Sequence, residues 1–224
     1  AAIQVAIDRV GAAGGGRVIL PALELELDRG LELRSGIELV GQGPNTMLRK
    51  AAGRVYPLTG YHNYGMCDVP LVSTAGLVPG MTVSVYDRQR RGFYSTLARV
   101  TWVEAGWVGL DHGIEADYAA DQEPVLTTAF PLIFGHGIAG AAVRDLTLDG
   151  HRAGNAETRM DGCRGSAIYF AKSRDLEVSG VREHGYHGEG LGFQMCQHVR
   201  LRDSRFDGNV GNGLHPGAGS TAAC

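Results

Sequence analysis

The chain has 224 residues, 44% hydrophobic and 20% charged, which suits a folded body with a substantial core. Its formal charge is −3, and Lys and Arg are scattered singly. That leaves no basic surface for a nucleic-acid backbone, and no apolar run approaches the roughly 20 residues that span a bilayer.

Ile3, Ala6, Ile7 and Val10 recur at helical spacing, so the chain opens with a short amphipathic helix that ends at the glycine run "GAAGGG". From Val18 to Leu33 apolar and polar residues alternate, the pattern of short strands with one buried face. Residues 54–128 carry longer β patterns joined by glycine turns and read as an inserted β-rich module. Its aromatics Tyr86, Phe93, Tyr94, Trp102 and Trp107 suit sugar stacking, but filling the module's own small core is the expected use. The 34 glycines are about twice the usual share of roughly 7%, as expected where tight turns or close backbone approaches abound.

A repeat then begins. "GHGIAGAAVRDLTLDG" (135–150), "GSAIYFAKSRDLEVSG" (165–180) and "EGLGFQMCQHVRLRDS" (189–204) superpose without gaps, and a fourth unit starts at Asn212. Each unit holds two short strands and no helix, so the units must stack to bury their apolar faces.

These segments resemble a known family. "AIQVAIDRVGAAGGGRVILPA" followed by "SGIELVGQG" is similar to the N-terminal cap and first coils of the pectate-lyase-like right-handed parallel β-helix superfamily, and "VRDLTLDG" and "RDLEVSG" resemble its later coils. The resemblance implies an all-β solenoid with an N-terminal capping helix over 1–53, the inserted module over 54–128 and further coils over 129–224. It also implies a polysaccharide or glycan partner and a secreted, periplasmic or cell-surface location. The lyases, hydrolases, epimerases and tail spikes of that superfamily share the fold and not the reaction.

Aligning successive coils places Ala167, Leu191 and Leu214 in one inward column and Tyr169, Phe193 and Pro216 in another. Gln194 and His215 then face outward, among glycines that leave room for sugar rings. An outward histidine can act as general acid or base near neutral pH, whereas the structural alternative has His215 and Pro216 shaping a turn. "EHGYHGEG" offers His184, His187 and Glu189 at the entrance to the next coil. Glu189 or His187 would assist His215, with Gln194, Asn212 and His184 contacting sugar. A glycine-laced loop gives no rigid face for a metal. No cofactor is called for, although a divalent cation such as calcium is compatible with the carboxylates.

Asn209 reads as a structural turn residue, and Asp149 as closing its turn through the carboxylate. Cys67, Cys163, Cys196 and Cys224 form no paired spacing and read as isolated thiols. Neither the clustered aspartates of the superfamily's calcium-dependent lyases nor the paired aspartates of its hydrolases are present. The expectation is a carbohydrate-active enzyme, a lyase, hydrolase or epimerase; the alternative is a non-catalytic glycan-binding spike. A solenoid that stops at "GSTAAC" also predicts that more chain follows.

Overall fold

The computed structural model describes residues 2–90, 94–156 and 162–221, so Phe93 and Cys224 lie outside the described residues. One helix, Ala2–Ala12, precedes a parallel β-helix of three faces. The first face stacks strands Gly16–Ile19, Ile37–Val40, Ala142–Arg144, Arg174–Ser179 and Gln197–Arg202. The second stacks Glu24–Leu27, Met47–Lys50, Thr147–Asp149, Arg182–His184 and Arg205–Asp207. The third stacks Leu31–Glu32, Ile133–His136, Ser166–Ala171, Glu189–Gln194 and Leu214–Pro216.

Each face sends an apolar column inward. Val18, Leu39, Val143, Val178 and Leu201 stack on the first face. Leu31, Ile133, Ile168, Leu191 and Leu214 stack on the third. On the second face Leu25, Leu48 and Leu148 are followed by Glu183 and then Phe206. Parallel pairing repeats each residue's environment in the next coil, so apolar side chains line up and close a continuous core. The helix buries Ile7 against one end of this core. Its exit needs glycine: Gly15 has φ +104, and a Cβ there would press within 2.8 Å of the Gly36 carbonyl oxygen.

The gapless repeat alignment is out of register. Ile168, not Ala167, stacks on Leu191, and Phe170, not Tyr169, stacks on Phe193. Strand register spaces these two coils 23 residues apart, with Ser166 opposite Glu189, one fewer than in the gapless alignment, and a one-residue slip turns every side chain of a strand to its other face.

Two excursions leave the same corner. After Met47–Lys50 the chain departs for residues 55–127 before entering the third face at Ile133, and after Thr147–Asp149 it makes a second excursion before Ser166. Lys50 anchors both roots. Its buried ammonium donates to the Thr128 carbonyl (2.9 Å) and Asn155 Oδ1 (2.5 Å) and lies 4.3 Å from the centre of the Phe130 ring. Burial pulls Lys50 down to about 7, against these contacts, which favour the charged form.

Residues 55–127 form a six-stranded antiparallel sheet, in the order Val55–Pro57, Val125–Thr127, Thr82–Tyr86, Thr96–Glu104, Trp107–Leu110, Asp68–Pro70. Val83, Val85, Val100, Val108, Tyr118 and Leu126 belong to its own core, which shares no residue with the β-helix core. Tyr86 is buried, but Tyr94, Trp102 and Trp107 are exposed, so most of the described aromatics named above do not fill that core.

Candidate functional site

The outward column of the third face reads Glu32, Phe134, Tyr169, Gly192, His215. Next to it runs His136, Ala171, Gln194. Because both excursions enter this face from one corner, they stand as a wall along it. Between wall and face lies an open cleft of about 620 Å³. Its floor includes Phe134, His136, Tyr169, Lys172 and Gln194, and its wall includes Leu97, Arg99, Asp111, His112 and Glu115.

Two ion pairs hold the wall in place. Arg99 Nη2 lies 2.6 Å from Glu32 Oε2, and Arg164 Nη1 lies 2.6 Å from Glu115 Oε2. Burial works against the Arg164 charge, but the Glu115 carboxylate holds the guanidinium above its ordinary value. Burial also pushes the Tyr169 hydroxyl up to about 12, so it stays protonated and acts as a donor. His112 Nδ1 lies 2.9 Å from Asp111 Oδ1, a carboxylate that also accepts the Arg99 amide (2.8 Å).

Three of the residues named from the sequence meet at the far end of the same face. His215 Nδ1 lies 2.6 Å from Glu189 Oε2, and Asn212 Nδ2 donates to Glu189 Oε1 at 3.3 Å. Glu189 opens the Glu189–Gln194 strand, and its side chain is only 8% exposed, against 33% for His215. An ionised carboxylate can only accept, so Nδ1 carries the proton and the Nε2 lone pair is left for chemistry.

The other named residues lie apart from this trio. Gln194 is in the cleft floor, where the Cys163 thiol approaches its Oε1 at 3.9 Å. His184 sits on the second face, with Nδ1 3.8 Å from Asp149 Oδ1. His187 is half-buried in the turn ahead of the Glu189 strand. Among the described residues no group of three or more His, Cys, Asp or Glu is placed to hold a metal ion.

The glycines around the trio serve the chain's own packing and do not clear space for sugar. A Cβ at Gly192 would overlap Ser166 Oγ, and one at Gly190 would crowd Glu183 Oε2 (2.7 Å) and Asn209 Nδ2 (2.9 Å). Asn209 is a structural turn residue, accepting the Tyr186 amide at 2.7 Å and donating to Glu183 at 2.7 Å. Asp149 likewise closes its turn by accepting the His151 amide at 2.8 Å. Cys163 and Cys196 are buried free thiols and Cys67 an exposed one.

Tyr169, Arg164, Glu115, Asp111, His112 and Arg99 escaped the sequence reading. The register error turned Tyr169 inward, and the others reach the cleft through excursions that share no periodicity with the coils. The available signal was the common corner from which both excursions depart.

No protein-family model matches the sequence, and no curated protein is similar to it. Solved structures do match. The A-module of the mannuronan C-5 epimerase AlgE6 from Azotobacter vinelandii superposes with a TM-score of 0.53 at 19% identity, covering 93% of this chain and 39% of that one. The AlgE4 A-module from the same organism gives 0.50 at 18% identity, covering 96% and 45%. A Parabacteroides merdae protein put forward as a glycosyl hydrolase gives 0.51 at 10% identity, covering 99% and 83%. The chain has the pectate-lyase-like parallel β-helix fold. It spans less than half the length of the two epimerase modules. Among the described residues no helix of this β-helix chain is long and apolar enough to cross a membrane.

Proposed function

We propose that this protein acts on a polysaccharide laid along the third face of the β-helix, outside the cell, with His215 as its acid–base group. The observation that carries the reading is the His215–Glu189 contact of 2.6 Å. His215 sits on the outward column that also supplies Phe134 and Tyr169 to the cleft. Glu189 orients the imidazole, and Asn212 fixes Glu189 in turn. Tyr169, protonated at neutral pH, is placed to donate to a sugar oxygen in the cleft. By strand spacing it stands about 10 Å from His215, roughly two sugar units along a chain. The segment 54–128 belongs to this reading as an inserted module that walls the cleft. Similar folds carry epimerase and hydrolase names, so the reaction is elimination, hydrolysis or epimerisation of a glycan.

The test is a panel of neutral and uronate polysaccharides incubated with the protein, reading chain length, unsaturated ends and uronate stereochemistry. Turnover of one polymer that His215→Ala lowers by about 10² to 10⁴ supports the reading. Saturable binding with no product from any polymer contradicts it in favour of a glycan-binding spike.

A further inference from the structure

The chain has two tryptophans, Trp102 and Trp107, and neither belongs to a core. They are 40% and 41% exposed. Antiparallel pairing sets Trp102 opposite Gly109 and Glu104 opposite Trp107, so all four residues share one face of the hairpin Thr96–Leu110. Val100, Val108 and Leu110 point the other way, into the module's core. The Trp102 indole lies over Gly109, where a Cβ would overlap its Nε1, Cε2 and Cδ1. Glycine thus lets the ring lie against the strand with its other side open to solvent.

This face is continuous with the cleft. Leu97, Arg99 and Asp111 lie on it and line the cleft wall. From Arg99 the same strand runs outward to Trp102, about 10 Å on. Strand Asp68–Pro70 borders it, with Asp68 opposite Gly109 and Pro70 opposite Trp107.

We propose that Trp102 and Trp107 form an aromatic platform that binds pyranose rings of a neutral saccharide and extends the cleft outward along the inserted module. Flat aromatic faces stack on the C–H faces of sugars, and carboxylates beside them accept hydroxyl donors. Asp68 and Glu104 set a negative rim, which suits neutral hexose units and repels a polyuronate. The inference rests on the reading that the cleft holds a saccharide.

Because both tryptophans lie on the platform, intrinsic emission reports on it without a label. The experiment titrates the protein with neutral hexasaccharides of glucose, mannose and galactose and with mannuronate and galacturonate hexamers. Emission and calorimetry are read side by side. Saturable blue-shifted emission with a neutral hexamer is expected, and Trp102→Ala and Trp107→Ala should each weaken affinity about 2- to 10-fold. Calorimetric binding with unchanged emission, matched by a double variant that binds as tightly, overturns the platform and leaves the cleft reading standing. No binding of any hexamer overturns both. An emission shift that tracks protein concentration without sugar makes the face an interface between copies and also overturns the platform. Should a variant fail to fold, the emission of the unaltered protein still decides.

Discussion

The β-helix and the antiparallel sheet of residues 55–127, proposed above to be an inserted module, bury apolar surface by opposite means. In the β-helix each buried residue is covered by its counterpart in a neighbouring coil, so Leu48 supports Leu148 across a hundred residues of sequence. In the module, hairpins such as Thr96–Glu104 with Trp107–Leu110 bring sequence neighbours together. The first arrangement gives a long, regular face and little chemical variety. The second gives short-range contacts that tolerate exposed tryptophans and a charged wall. The cleft exists because the regular face is walled by irregular excursions from a single corner.

Separate cores predict separate unfolding. Leu148→Ala should cost the β-helix about 2–5 kcal/mol, lowering the far-ultraviolet circular-dichroism transition, while tryptophan emission, which reports only the module, keeps its midpoint. Leu126→Ala should do the reverse. One shared transition, shifted equally by both variants, would show that the two cores melt as a unit.

Within the β-helix, Glu183 interrupts a column of leucines and is 1% exposed. Burial pushes it from 4.5 up to about 8, so the folded state holds a proton that the unfolded chain has released between those values. Its contribution to stability is therefore fully present below pH 4.5 and is lost as pH rises through about 8, on the order of 5 kcal/mol. Glu183→Gln should flatten this decline in denaturant titrations at pH 5 and pH 8. An unchanged slope would place the pH dependence elsewhere.

The smallest effect is expected where the two regions meet. Arg99 and Arg164 are partly exposed, so Arg99→Ala and Arg164→Ala should each cost less than about 1 kcal/mol of stability. Both should nevertheless weaken saccharide binding in calorimetry by freeing the wall. Large destabilisation with unaltered binding would make them structural clamps alone.

The parallel β-helix was legible in the sequence because repetition leaves the same apolar residues at the same turn of each coil. The "GGGRVILPA" entry supplies the strand Gly16–Ile19, and stacked coils do run from Ile133 onward, though not in the register of the gapless repeat. Register was not legible between the coils that begin at Ser166 and Glu189, because the glycine-laced turn before Glu189 can absorb one residue and a one-residue slip turns every side chain to the other face. That error reversed Tyr169, and with it the aromatic floor of the cleft. Leu214 illustrates a second limit. Its inward orientation follows from register with Leu191, yet it is 43% exposed, because its strand is the edge of the third face among the described residues. Leu214→Ala therefore carries a much smaller penalty than a central column residue. By contrast, His215 was found because it sits on a regular strand, where alternation decides which way a side chain points, whereas Glu189 and Asn212 were named from the polar turns beside it.

His215, oriented by Glu189, is the group proposed to act on a polysaccharide along the third face. The most direct measurement compares turnover and melting of His215→Ala and Glu189→Gln with the unaltered protein on whichever polymer the panel identifies. Expected are a rate lower by about 10² to 10⁴ for His215→Ala with a stability change within about 0.5 kcal/mol, and a rate loss without loss of binding for Glu189→Gln. Early melting of His215→Ala with full specific activity would contradict this role and make the pair a turn contact.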